Sequence, residues 1–170
     1  MGGFFLNKRG VLGPIALVAA MAFVAVGCGG SDGNSDQVTV DTGSLSKAEF
    51  INQANEICRA VRAKFTREFT AFYKTNKPGR SRASEEKWLG EALDEVVLPN
   101  YEKQLIGDIS TLGAPPAEKA KASAFLNSLQ KRLDEIREEP GKLNETPFPF
   151  KAQATLAQKY GFSGCASSFS

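Results

Sequence analysis

The sequence predicts an all-α domain: an up-down-up-down four-helix bundle with a kinked second helix, closed by one disulfide. Three observations predict it. Apolar residues recur at three- and four-residue spacing in four successive stretches. Capping residues, prolines and glycines stand where such helices should begin and end. Strand-like alternation of useful length is absent.

The first helix opens at "LSKAEF", where Ser46 and Glu49 have capping-box spacing and Leu45 and Phe50 have the spacing of a hydrophobic staple. Phe50, Ala54, Ile57, Val61, Phe65 and Phe72 then mark one face as far as about Lys74, and "TNKPGRS" turns the chain. A second helix is expected from near Ser84, with Trp88, Leu89, Ala92, Val96 and Val97 inward. Pro99 lacks an N–H and crowds the carbonyl of Glu95, which predicts a kink. Beyond it Tyr101, Leu105, Ile109 and Leu112 resume the period until Gly113. "APPAEKA" starts the third helix, whose buried side is Ala122, Phe125, Leu129, Leu133 and Ile136. A fourth, over about 148–160, ends at Gly161 in a left-handed cap, and residues 166–170 read as a tail.

The first 27 residues read as an export leader. Lys8 and Arg9 precede an apolar run from Val11 to Val26 that is shorter than the ~20 residues a bilayer core demands. The run ends in Ala25-Val26-Gly27-Cys28, which resembles the lipobox of bacterial lipoproteins, with Ala25 where the family prefers Leu. That resemblance implies a diacylglyceryl group on Cys28, cleavage before it, and anchorage at the extracytoplasmic face of the cell membrane. Two acyl chains suffice for stable anchoring, so the membrane is an expected partner. Residues 28–45, rich in Gly, Ser and Asp, read as a lipidated flexible tether to a domain over 46–165. "DGNSD" begins like a calcium loop, but Gln37 and Gly43 occupy the positions of its glycine and bidentate glutamate.

With Cys28 assigned to lipid, Cys58 and Cys165 remain as an even pair in an exported chain. At ~1.5 Å per residue, Cys58 lies about 18 Å above the start of the first helix. Successive antiparallel helices return the end of the fourth to about the same level, so the two thiols are expected to join.

Histidine is absent, which removes Ser–His–Asp and Cys–His catalysis, imidazole-ligated zinc and Glu-x-x-His di-iron sites. Glu91, Asp94, Glu95 and Glu102 read as a solvated face. No catalytic residue, cofactor or metal is expected. Loss of Lys8 and Arg9 with the leader leaves 19 bases against 19 acids, which gives no support to nucleic-acid binding.

Two local features suit binding. Residues 46–82 hold nine bases and three acids, whereas 83–112 hold two bases and seven acids, so neighbouring helices can complement each other. Alternatively Arg59, Arg62 and Arg67, with Lys74, Lys77, Arg80 and Arg82 beyond them, form an edge for an anionic polymer. The other feature is aromatic: Phe69, Phe72, Tyr73 and Trp88 flank the first turn, and the topology brings Phe148 and Phe150 to the same end. This cluster is either an end-plug of the core or the lining of an apolar ligand pocket.

"LSKAEFINQANEIC", "VLPNYEKQLIGDISTLGAPP" and "AQKYGFSGC" resemble small helical lipoproteins of actinobacterial type. That resemblance implies a helical domain closed by cysteines and brings no activity with it. The expectation is a non-catalytic interaction module of the cell envelope meeting a partner protein or anionic polymer. The alternative is a carrier or sensor of a small apolar ligand.

Overall fold

The computed structural model describes residues 37–144 and 149–169; Cys28 and Phe148 lie outside them. At the first helix start, Ser46 Oγ accepts from the Glu49 N–H at 3.3 Å and the Ser46 N–H donates to Glu49 Oε2 at 2.9 Å. Both arms of the capping box are therefore present, and α1 runs over Lys47–Thr75. Ser81 caps α2 (Arg82–Ala92), two residues ahead of the expected start, because its hydroxyl accepts from the Ser84 N–H.

Pro99 does not stop the helix. The chain winds on through two π-helical segments, Leu93–Val97 and Pro99–Ile106, into α3 (Gly107–Thr111). The Leu98 N–H donates to the Leu93 carbonyl, a five-residue bond. Asn100, fully buried, donates from Nδ2 to the Val96 carbonyl at 2.8 Å and to Glu68 Oε2 at 2.6 Å. The wider turn carries the helix past the proline, and Asn100 ties the widened stretch to Glu68 of α1.

After Gly113, at φ +78°, Pro116 opens α4 (Pro116–Glu138), and a 3-10 turn follows over Pro140–Asn144. Then come α5 (Lys151–Tyr160), capped by Gly161 at φ +101°, and α6 (Ser163–Ser168). The described residues form no β-strand; Thr42 and Ala114 make an isolated bridge. None of their helices is long and apolar enough to cross a membrane.

Two expectations are corrected. Residues 38–43, assigned by composition to the tether, lie along α3 and α4. The Val38 N–H donates to Asn127 Oδ1 at 2.8 Å, the Asp41 N–H to the Ser110 carbonyl at 2.7 Å, and Val40 is fully buried. The reading over 166–170 as a tail also fails as far as it is described. Ser168 lies in α6, and Phe169 is buried among Tyr101, Phe125 and Phe150.

Cys58 of α1 and Cys165 of α6 form the expected disulfide, and both are fully buried. Asn55, one turn before Cys58, clamps the same junction. Its Oδ1 accepts from the Gly164 N–H at 2.7 Å, and its Nδ2 donates to the Gly161 carbonyl at 3.3 Å. Ser168 Oγ donates to the Cys58 carbonyl at 3.2 Å. The main core joins α1, the π-helical stretch and α4 to the two C-terminal helices, while Phe72, Ala92 and Val96 form a smaller one.

Candidate functional site

The space between those two cores is the candidate site. Five aromatic side chains line a cavity of about 200 Å³: Phe65 and Phe69 from α1, Trp88 from α2, Tyr101 from the second π segment, and Phe150 just before α5. Successive centroids along Trp88, Phe69, Phe65, Tyr101 and Phe150 are 6.1, 5.5, 5.2 and 5.6 Å apart, an unbroken arc. These separations lie in the range where edge-to-face and offset ring contacts are favourable.

Helical winding groups four of the lining residues. Leu89, Ala92, Val97 and Tyr101 all border the cavity, yet the last two lie eight and twelve residues beyond the first. At ~100° per residue, a straight α-helix would turn Tyr101 about 120° away from Leu89. An i→i+5 turn takes up about one extra residue, so the bond from Leu98 to Leu93 brings Tyr101 back to within roughly 20°. The π segment thus has a function in the site: it aligns these four side chains on one face.

The cavity is apolar and uncharged. Tyr101 is 2% exposed, and burial pushes its hydroxyl up to about 12 despite the opposing influence of Arg62, so it stays a phenol at neutral pH. Among the described residues lining the cavity, none is ionisable except this tyrosine. Trp88 Nε1 donates to the Asn76 carbonyl, which holds the indole against the end of α1.

The expected aromatic cluster therefore contributes in part to this cavity. Phe69, Trp88 and Phe150 line the cavity. Phe72 is buried behind it, its ring 5.7 Å from Trp88, and belongs to the smaller core. Tyr73 meets Trp88 edge-on at 6.0 Å but is 49% exposed and outside the lining. Phe65 and Tyr101, which the sequence placed simply on buried helix faces, are the additional members. Their signal was a phase error in the helix period at Tyr101.

The basic candidates are arranged differently. Lys74, Lys77 and Arg80 are exposed and make no ion pair among the described residues, while Arg82 pairs with Glu86 at 2.7 Å. Among the described residues, no ion pair joins α1 to the stretch from α2 through α3. Contacts there include Lys64 Nζ to Gln104 Oε1 at 2.9 Å and Asn100 to Glu68. Nor is Glu102 merely solvated: it accepts from Arg137 at 2.7 Å and Gln130 at 2.8 Å, tying the second π segment to α4. A further groove, between α5 and α6, is open and bordered by Lys151, Lys159 and several hydroxyls. Among the described residues no three metal-ligating side chains gather.

Comparison of the chain with known protein families, curated proteins and solved structures finds no match.

Proposed function

We propose that this chain is a lipid-anchored, extracytoplasmic binding module of the cell envelope that performs no catalysis and holds a small apolar ligand in the ring-lined cavity. The observation that carries the ligand reading is the void itself. Protein interiors are close-packed, and an end-plug built from five rings would fill its own space. Here the rings border about 200 Å³ of partly open space instead. Its lining matches what small-molecule sites use: apolar walls with few polar groups. The geometry thus moves the ligand reading ahead of the polymer reading.

The architecture we propose for the module is the up-down-up-down four-helix bundle, with α2, the π segments and α3 as one helix and α6 added after the fourth. Short connections from α1 to α2 and from α3 to α4, which favour antiparallel neighbours, support it, as does the disulfide that returns the chain end to α1. The anchor rests on the resemblance at Gly27-Cys28. Ten residues of chain separate Cys28 from the docked Val38, which limits that span to about 36 Å whatever its conformation. The module therefore works close to the bilayer.

A second reading keeps Lys74, Lys77 and Arg80 as a contact for an anionic polymer or envelope protein, favoured by their exposure without ion pairs beside the exposed ring of Tyr73. The deciding experiment is native mass spectrometry of the protein taken from its own membrane. A mass beginning at Cys28 with diacylglyceryl, two hydrogens below the dithiol form and carrying a small bound molecule, supports the whole proposal. An unmodified Cys28 overturns the anchor. Loss of a polyanion complex on charge reversal at Lys77 and Arg80, with the cavity empty, favours the second reading.

A further inference from the structure

We infer that the cavity takes a neutral, planar aromatic molecule of one ring or two fused rings. This rests on the apolar-ligand reading above and narrows it to a chemical class.

Size sets the first limit. An apolar cavity of about 150 Å³ lined by Leu, Ile and Phe accepts benzene, whereas drug-sized ligands occupy roughly 300–1,000 Å³. At about 200 Å³ this cavity has room for toluene, indole or naphthalene and too little for a long acyl chain. Shape sets the second limit. The arc from Trp88 to Phe150 mixes ring orientations: Phe65 and Phe69 are stacked at 21°, while Phe69 meets Trp88 edge-on at 74°. An inserted ring finds both faces and edges to contact, which a saturated molecule of the same volume cannot exploit.

Charge sets the third. Among the described residues the lining holds no ionised group, and its one amide, Asn144, donates its Nδ2 to Glu85 at 3.1 Å. An ionised ligand would lose its hydration without meeting a counter-charge. Rings alone attract quaternary ammonium ions. Here, however, no described lining residue is acidic, so a cation would find rings and the aliphatic surface of Leu89, Ala92 and Val97 but no counter-charge.

The test uses the full chain carrying Cys28→Ser, which removes the proposed lipid site and the need for detergent. Trp88 is the single tryptophan and lines the cavity, so its emission reports occupancy. Toluene, naphthalene, hexane and tetramethylammonium are titrated separately. Toluene and naphthalene should each give a saturable change, with hexane about tenfold weaker than toluene and tetramethylammonium inert. Ala92→Leu, which fills the cavity from the aliphatic wall, should weaken naphthalene at least ~10-fold. If that variant fails to fold, Phe69→Leu widens the cavity instead and should shift preference from toluene toward naphthalene. Hexane binding as tightly as toluene overturns the aromatic class and leaves the apolar site standing. Tetramethylammonium binding more tightly than toluene overturns neutrality. Silence of all four probes overturns the class and the apolar-ligand reading together.

Discussion

Reduction of the Cys58–Cys165 disulfide tests how α6 is held. The bond spans a sequence separation of 107 residues. In the chain-entropy relation, a loop of that length removes about 16 cal/mol/K from the unfolded chain, or about 4.8 kcal/mol at 25 °C. Part of that stabilisation acts through the unfolded ensemble, so reduction should lower stability and also raise the dependence on denaturant, because the released chain exposes more surface. For roughly 130 folded residues, the loss corresponds to a fall in melting temperature of about 15–20 °C. Urea unfolding of the Cys28→Ser chain, oxidised and reduced, measures both quantities without deleting an atom from the core. Cys58→Ala/Cys165→Ala should fall further, since it also removes two fully buried sulfurs. A loss below about 1 kcal/mol with unchanged denaturant dependence would refute the reasoning. In that case Asn55, Ser168 and the burial of Phe162 and Phe169 would suffice to keep α6 on α1, and the crosslink would constrain little.

Three other outcomes follow from buried polar and ionisable groups. Asn55→Ala leaves the Gly164 N–H and the Gly161 carbonyl without their partner and should cost about 1–3 kcal/mol in urea unfolding, with faster hydrogen exchange at Gly164. Burial would raise the Glu102 carboxyl, but hydrogen bonds from Arg137 and Gln130 and the charges of Arg137 and Lys103 hold it below its ordinary 4.5. That stabilisation is present above the ordinary value of 4.5 and disappears as pH falls through the lower native one, so Glu102→Gln should flatten the acid limb of melting temperature below pH 4.5. Tyr101 shows the opposite sign. Its phenol is raised by burial from 10.0 to about 12, so its contribution is complete below pH 10 and lost as pH rises toward 12. Burial and the neighbouring Glu118 also raise Tyr160, so phenolate absorbance should show two late-titrating tyrosines, and Tyr101→Phe should remove one of them.

Legibility in the sequence followed the range of the interactions. Ser46 and Glu49 were readable because a capping box is complete within four residues, and Gly161 because a left-handed cap depends chiefly on its own backbone. The disulfide was readable through parity and helix length, although it joins distant residues. α6 was not. "SGCASS" carries no apolar stripe, and its position is set by contacts from α1. A Cβ on Gly164 would approach the Asn55 carbonyl oxygen to 2.6 Å, so the glycine permits the close fit. Val38 and Val40 were masked in the same way by the polar composition around them, since their burial is decided by α4 and not by their neighbours in sequence.

The site exposes a sharper limit. Pro99 announced that one backbone donor was missing, but whether the helix kinks or widens depends on what packs around it. The spacing from Leu89 to Ala92, Val97 and Tyr101 already departed from an α-helical period, and that departure was the clue to widening. A void leaves no comparable mark. Phe65, Phe69, Trp88, Tyr101 and Phe150 would read identically as a filled plug or as a lined cavity, because composition records the rings and not the space between them. What separates the two is the space itself, about 200 Å³ bordered by those five rings, which only the packing of the folded chain records.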